Sequence, residues 1–184
     1  MVTFTGITSQ FSDLGGKAFQ TLKELRPGLS RIALLWNPED PGSKVGAEAQ
    51  LAGGPQLGLV VQSIPIKTRE DLSAALAALA ENLPEALDVH ITPILAANVD
   101  AIANFALHHG LPSSTGSAAM VRAGLSVSYA PHPANLWRRA ADYVDRILRG
   151  ANPAEMPVEQ PTKFEFVINL KTAEAIGLAV SHPI

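Results

Sequence analysis

The chain has 184 residues, is 47% hydrophobic and 17% charged, and carries a formal net charge of -3. This apolar content excludes an extensively disordered chain, and the sparse, slightly acidic charge leaves no basic footprint for nucleic acid. Cysteine is absent, which removes a disulfide framework, a thiolate nucleophile and a Cys-based zinc site.

Val2–Thr8 is short, β-branched and alternating, so it reads as a strand or an extended lead-in. From Asp13 to Arg26, Leu14, Ala18, Leu22 and Leu25 recur at helical spacing, and Pro27-Gly28 closes the helix. Gly15-Gly16 weakens its first turn, which points to a close neighbour there. Arg31–Trp36 is a short apolar run that stops at Asn37-Pro38, the pattern of a strand buried on both faces of a parallel sheet. Proline has no N–H to donate to a ladder, so the chain leaves the sheet at Asn37.

Ser43 is the expected N-cap of the next helix, which should end or distort at Gly53-Gly54-Pro55. Leu59–Ile66 reads as the second strand. Thr68 and Asp71 resemble a capping box ahead of an apolar face built by Leu72, Ala75, Leu76, Leu79 and Leu83. Ala86–Thr92 is the third strand, stopped by Pro93, and Asn98 is placed to cap a helix running to about His109. Pro112–Gly116 and Leu125–Tyr129 are two more short strands around a helical turn at Ala118–Arg122. Pro131 to Arg149 is a long helix whose expected buried stripe is Leu136, Ala140, Val144, Ile147 and Leu148. Residues 152–162 hold three prolines and read as an extended connector to a final strand, Phe164–Ile168. A short helix, Leu170–Ile176, follows, capped by Asn169.

Strands alternate with helices five times, so the expected fold is α/β, a doubly wound, mostly parallel sheet flanked by helices. The two ends of the chain read as arms attached to a compact centre. In such sheets ligands gather at the carboxyl ends of the strands. This makes the loop after Trp36 the first place to look.

Reactive chemistry is sparse. No GxGxxG or GxxxxGK[ST] follows a strand, so a nucleotide phosphate has no glycine cradle. Gly124-Leu125-Ser126-Val127-Ser128 lacks the final glycine of a nucleophile elbow, and its serines fall inside a strand. His90, His108, His109, His132 and His182 form no metal-binding spacing, so neither a metal nor a cofactor is expected. Glu39-Asp40 reads either as a solvated loop or as a ligand-facing pair. Trp36 reads as core, Tyr129 equally as core or cleft, and Trp137 as a surface or interface residue.

Three stretches carry a resemblance: PGLSRIALLWNP, the run from LSVSYAPHPANLW to TAEAIGL, and the opening VTFTGITS. Within the second, PVEQPTKFEFVINLKTAEAIGL is the most specific piece. Together they resemble the ABC transporter substrate-binding proteins often described as tryptophan/tyrosine-type. The resemblance implies one lobe of a type I periplasmic-binding-protein fold. In that scheme a small ligand is closed between two lobes and passed to an ABC permease and its ATPase. It also implies a periplasmic or lipid-anchored extracytoplasmic location, although the N-terminus shows neither the basic nor the apolar region of a secretory signal. VTFTGITS then corresponds to the crossover between lobes, and the chain to the C-terminal lobe with its hinge strands. The division that the resemblance implies is a crossover strand over residues 1–8, the α/β lobe over 9–150, and a return arm over 151–184. Relatives commonly carry Asp-Pro after the third strand, where this chain has Thr92-Pro93, and glycine where it has Ala130.

The candidate ligand residues are Asn37, Asp40, Ser43, Thr92, Gly116, Ser117 and Tyr129. Asn37, Thr92 and Ser117 are expected to offer hydrogen bonds, Asp40 to meet a ligand ammonium, and Tyr129 to stack or donate. The expected ligand is a small polar molecule such as an amino acid, bound by domain closure without covalent chemistry. Strand edges at Val2–Thr8 and Phe164–Ile168 suggest a homodimer. Two rival readings stay open: the effector-binding lobe of a transcriptional regulator, which needs an upstream helix-turn-helix, and a small flavodoxin-like enzyme.

Overall fold

A computed structural model describes residues 4–9 and 11–178 of the chain. The elements run α1 (Phe11–Leu25), β1 (Arg31–Trp36), α2 (Pro41–Gly53), β2 (Val60–Pro65), α3 (Arg69–Glu81), β3 (Ala86–Val89), α4 (Pro93–Ala97) and α5 (Val99–His108). They continue with β4 (Ser113–Thr115), α6 (Ala118–Arg122), β5 (Val127–Pro131), α7 (Pro133–Leu148), β6 (Phe164–Ile168) and α8 (Leu170–Ala175). The strands form one sheet in the order β2-β1-β3-β4-β5-β6. The first five are parallel, and β6 joins β5 antiparallel at the edge.

The strand sequences explain why the sheet has two helical layers. Along β3, Leu87 and Val89 point to one face, and Ala86 and Asp88 to the other. Leu87 and Val89 join Ala33 and Leu35 of β1 under α3, α5 and α6. Ala86 and Ile32 meet Phe19 and Leu22 of α1. Both faces are covered, as the continuous apolar run of β1 requires.

Several boundaries differ from the sequence reading. Helix α2 starts at Pro41, with Asp40 as its N-cap accepting the Ser43 N–H. Proline at the first helical position is pre-organised for the turn, and the aspartate is a strong cap, so the pair outcompetes Ser43. Strand β3 ends at Val89, and Thr92 instead caps the short α4, whose first residue is Pro93. Asn98 precedes α5 as expected, but its side chain donates back to Ile94 O at 2.8 Å and makes no cap bond. The Thr68–Asp71 capping box and the Asn169 cap of α8 form as read.

The arms cross close together. Thr8 N–H donates to Glu159 O at 2.9 Å, Glu159 N–H to Gly6 O at 3.0 Å, and Thr5 Oγ1 to Met156 O at 2.9 Å. Ile7 and Glu159 form an isolated parallel bridge, so the lead-in is a single bridged crossing over its described part; Val2 and Thr3 lie outside the described residues.

Helix α7 corrects the expected buried stripe. Val144 is 56% and Leu148 82% exposed, Ile147 is also exposed, and Leu136 and Ala140 are half-buried. The side that packs carries Tyr143, whose hydroxyl donates to Pro157 O at 2.8 Å, and Arg139, which grips Glu159 through two nitrogens. The helix is therefore held against the connector through its polar flank. The C-terminal half of its apolar stripe, Val144, Ile147 and Leu148, is left exposed among the described residues.

The glycine pair in α1 has one reason, and it applies to one of the two. A Cβ at Gly15 would sit 2.4 Å from Gln50 Cγ, whereas one at Gly16 would meet nothing within 4 Å. Gly15→Ala should lower stability by about 1–3 kcal/mol, because Gln50 is held and cannot give way. Gly16→Ala should leave stability unchanged or raise it by up to about 1 kcal/mol. Urea unfolding of the two variants checks the contrast.

Candidate functional site

The register of the sheet sets Leu34, Asp88 and Ser114 side by side on β1, β3 and β4. Asp88 is thus a carboxylate in the middle of a parallel sheet, facing α1 and α2 and almost completely buried. It accepts from the Ser114 hydroxyl through Oδ1, and from Gln50 Nε2 of α2 at 2.6 Å through Oδ2. Gln50 Oε1 lies 2.6 Å from His90 Nε2, His90 Nδ1 lies 2.9 Å from Ser43 Oγ, and Ser43 Oγ accepts the Asn37 N–H at 3.0 Å.

With Asp88 as the carboxylate, a consistent placement of protons satisfies every member. Gln50 donates to the carboxylate, so its oxygen must accept from His90 Nε2–H, and Nδ1 accepts from the Ser43 hydroxyl. His90 is therefore the neutral tautomer with its proton on Nε2. Burial holds its pKa below the ordinary 6.5, against the opposing pull of Asp88 and Asp40. Burial likewise raises Asp88 above the usual carboxylate range, with His90 and its two hydrogen bonds pulling the other way.

The helices make room for this chain of bonds. Ser43, Gly46 and Gln50 fall on one face of α2, and a Cβ at Gly46 would come 3.2 Å from His90 Cε1. Although a serine, a histidine and an aspartate are linked, the arrangement is a structural lock. The Ser43 hydroxyl is buried and already bonded on both sides, and a neutral amide separates the imidazole from the carboxylate.

Above the lock, at the carboxyl edge of the sheet, opens a cavity of ≈ 660 Å³. Asp40, Ser43, His90, Ile91, Gly116 and Tyr129 are among its walls. Tyr129 is stacked on Phe164 of β6, with ring centroids 5.3 Å apart and planes 7° from parallel. A second cavity of ≈ 760 Å³ adjoins it, sharing Thr8, Ser9, Ile91 and Gly116. It is walled further by Ser117 and Arg122 of the α6 region, by His132 and Trp137, and by Glu165. Trp137 is 75% exposed, in line with its reading as a surface residue.

The seven candidate residues divide accordingly. Asp40, Ser43, Gly116 and Tyr129 meet at the first cavity, and Gly116 and Ser117 at the second. Asn37 and Thr92 line neither. Asn37 gives its N–H to Ser43 and takes the Glu39 N–H on Oδ1, and Thr92 is buried with its hydroxyl accepting from Leu95 N. Both are used by the local turns, because each precedes a proline at which the chain changes direction. The sequence reading missed Gln50, Asp88 and His90. The signal for Asp88 was an acidic residue at the centre of a run otherwise reading as buried strand. Among the described residues no group of three or more His, Asp or Glu side chains is placed to hold a metal ion.

Comparison with known proteins adds the context. A family model described as ABC transporter substrate binding protein matches residues 5–184. No curated protein matches the chain. Among solved structures, an ABC domain in complex with L-Trp from Streptococcus pneumonia is 21% identical, with a TM-score of 0.83 over 96% of this chain and 60% of that one. A conserved domain protein from Vibrio cholerae O1 biovar El Tor is 21% identical with a TM-score of 0.83, over 98% of this chain and 59% of that one. A ligand-free, open substrate-binding protein with adhesive properties from Clostridium difficile is 19% identical with a TM-score of 0.74, over 90% and 56%. The chain therefore spans 56–60% of the length of these structures.

The His90 chain gives a pH test of stability. The unfolded chain binds a proton at His90 near the ordinary value of 6.5, and the folded chain resists it. Stability should therefore be full above that value and fall as the pH drops below it. Asp88 acts with the opposite sign: its raised pKa lets the folded chain gain a proton first, which favours folding as the pH falls toward 3.8. Melting temperatures should decline from about pH 7.5 to about pH 5.5, and His90→Gln should remove most of that decline.

Proposed function

The chain belongs to the ABC transporter substrate-binding protein family, and we propose that it supplies one wall of a two-walled cleft that captures a small solute for uptake. The observation that carries this reading is the ≈ 660 Å³ cavity at the carboxyl edge of a parallel sheet, where α/β folds take their ligands. The proposed solute is a small polar molecule, an amino acid being the first candidate. Asp40 would meet its ammonium, Ser43, Gly116 and Ser117 would bound its polar end, and Tyr129 would lie against its body. Asn37 and Thr92 would hold the loops from behind. The complex of an L-Trp-bound neighbour with the same fold supports an amino acid without fixing which one.

In this reading residues 9–150 are the binding lobe, and the segments 1–8 and 151–184 supply the pivot. Closure is a hinge motion, which needs a few backbone positions to turn while the sheet stays rigid. The crossing between Thr5–Thr8 and Met156–Glu159 is joined by few hydrogen bonds, as a pivot requires. The partners would be an ABC permease and its ATPase, and the site of action extracytoplasmic. Among the described residues no helix is long and apolar enough to cross a membrane. Binding rather than turnover fits the locked Ser43 and the neutral His90.

A closed cleft encloses about 70–90% of a small ligand. One wall gives far less, so affinity for an amino acid should be millimolar, corresponding to about 4 kcal/mol. Titration of the ¹⁵N-labelled chain with an amino-acid panel should give saturable shifts at Ser43, Ile91 and Gly116, weakened about tenfold by Tyr129→Ala. Shifts that do not saturate with any member would overturn the solute-binding reading.

We also propose that copies of this chain pair. The support is the open edge of β6, with Phe166 52% exposed, and the uncovered α7 stripe of Trp137, Val144 and Leu148. Sedimentation at tens of micromolar should show a dimer that Leu148→Glu dissociates; a clean monomer would refute pairing.

A further inference from the structure

The first cavity has a one-sided charge. Its ionisable walls include Asp40, Asp88 and His90, and among the described residues no lysine or arginine lines it. Neither carboxylate takes part in an ion pair among the described residues. Asp40 spends Oδ1 on the Ser43 N–H, and Oδ2 has no hydrogen-bond partner among the described residues. Asp88 lies beneath it, both oxygens bonded to neutral donors. His90, the one lining group among the described residues that could supply positive charge, is buried between Ser43 and Gln50, which disfavours its charged form. The remaining surface is largely apolar, with Leu14, Ala18, Val45 and Ile91 beside the Tyr129 ring. The nearest contrast is the adjoining cavity, where Arg122 stands 3.8 Å from Glu165.

An anion entering the first cavity would lose its water and meet carboxylates with no cation to offset them. An ammonium would find an open carboxylate oxygen, and an apolar body would find apolar walls. We propose that this cavity selects a solute by a cationic amine joined to an apolar body, that Asp40 sets the charge preference, and that a carboxylate on the solute adds nothing to binding at this wall. The inference rests on the solute-binding reading above and narrows its ligand class: decarboxylated amines belong to the range of solutes as fully as amino acids do.

Four probes of nearly equal shape separate the charges: phenethylamine, phenylalanine, 2-phenylethanol and 3-phenylpropionate. Each is titrated into the ¹⁵N-labelled full chain at neutral pH, reading the amides of Gly42, Ser43, Gly46, Ile91 and Gly116. Phenethylamine and phenylalanine should bind within about threefold of each other, and 3-phenylpropionate about tenfold or more weaker. Asp40→Asn keeps an oxygen that caps α2, so the fold is retained. It should weaken both amines about tenfold and leave 2-phenylethanol unchanged. Equal binding of 3-phenylpropionate, or an Asp40→Asn variant that holds the amines as well as the native chain, would overturn the charge inference while the solute-binding reading stands. If none of the four probes shifts these amides, that reading falls at this cavity and the inference falls with it.

Discussion

A carboxylate on an interior strand of a parallel sheet has to be given donors, because leaving it bare in a low-dielectric interior costs several kcal/mol. Asp88 imposes that condition here, and much of the surrounding architecture answers it. Ser114 arrives from the neighbouring strand in register, and Gln50 reaches down from α2. For Gln50 to reach, α1 must present a bare backbone at Gly15, and for His90 to continue the chain, α2 must present one at Gly46. The packing of two helices on the sheet is thus fixed by one buried charge as well as by the apolar contacts of Phe19 and Leu22.

The same chain of bonds ends at the site. Ser43, the last side chain in it, holds the Asn37 N–H and so fixes the loop that leaves β1. Asp40 is then set at the cavity wall by its own cap on α2. The floor of the candidate site is therefore bonded in place by its own residues, which would spare a ligand the ordering cost that an unbonded loop imposes. In the proposed reading the same pre-set geometry carries the charge preference, since the described walls hold Asp40 and Asp88 and no lysine or arginine.

Away from the floor the molecule is built differently. The arms meet in a narrow crossing of a few backbone bonds, and α7 lies against the connector through Tyr143 and Arg139. The C-terminal half of its apolar stripe and the outer edge of β6 face outward. This distribution, a bonded sheet edge joined to a crossing of few bonds and an exposed apolar helix end, is what the proposed two-walled reading calls for. The length relation to the matched structures, 56–60% of each, fits that distribution.

By itself the sequence determined the alternation of strands and helices, the order of the elements, the punctuation by proline and glycine, and the family. These follow from local rules: periodicity fixes which faces are apolar, and Pro38, Pro93 and Gly177 cannot continue what precedes them. The resemblance suggested the arms, and the strand ends pointed to Asp40, Gly116, Ser117 and Tyr129, which line the two cavities. Only the tertiary structure decided that Gln50, Asp88 and His90 form one bonded chain, that Gly15 and not Gly16 is sterically required, and that the C-terminal half of the α7 stripe is exposed. Those outcomes depend on which residues from distant segments meet across the sheet: 38 and 40 positions separate Gln50 from Asp88 and His90, and no local pattern in the sequence encodes their encounter.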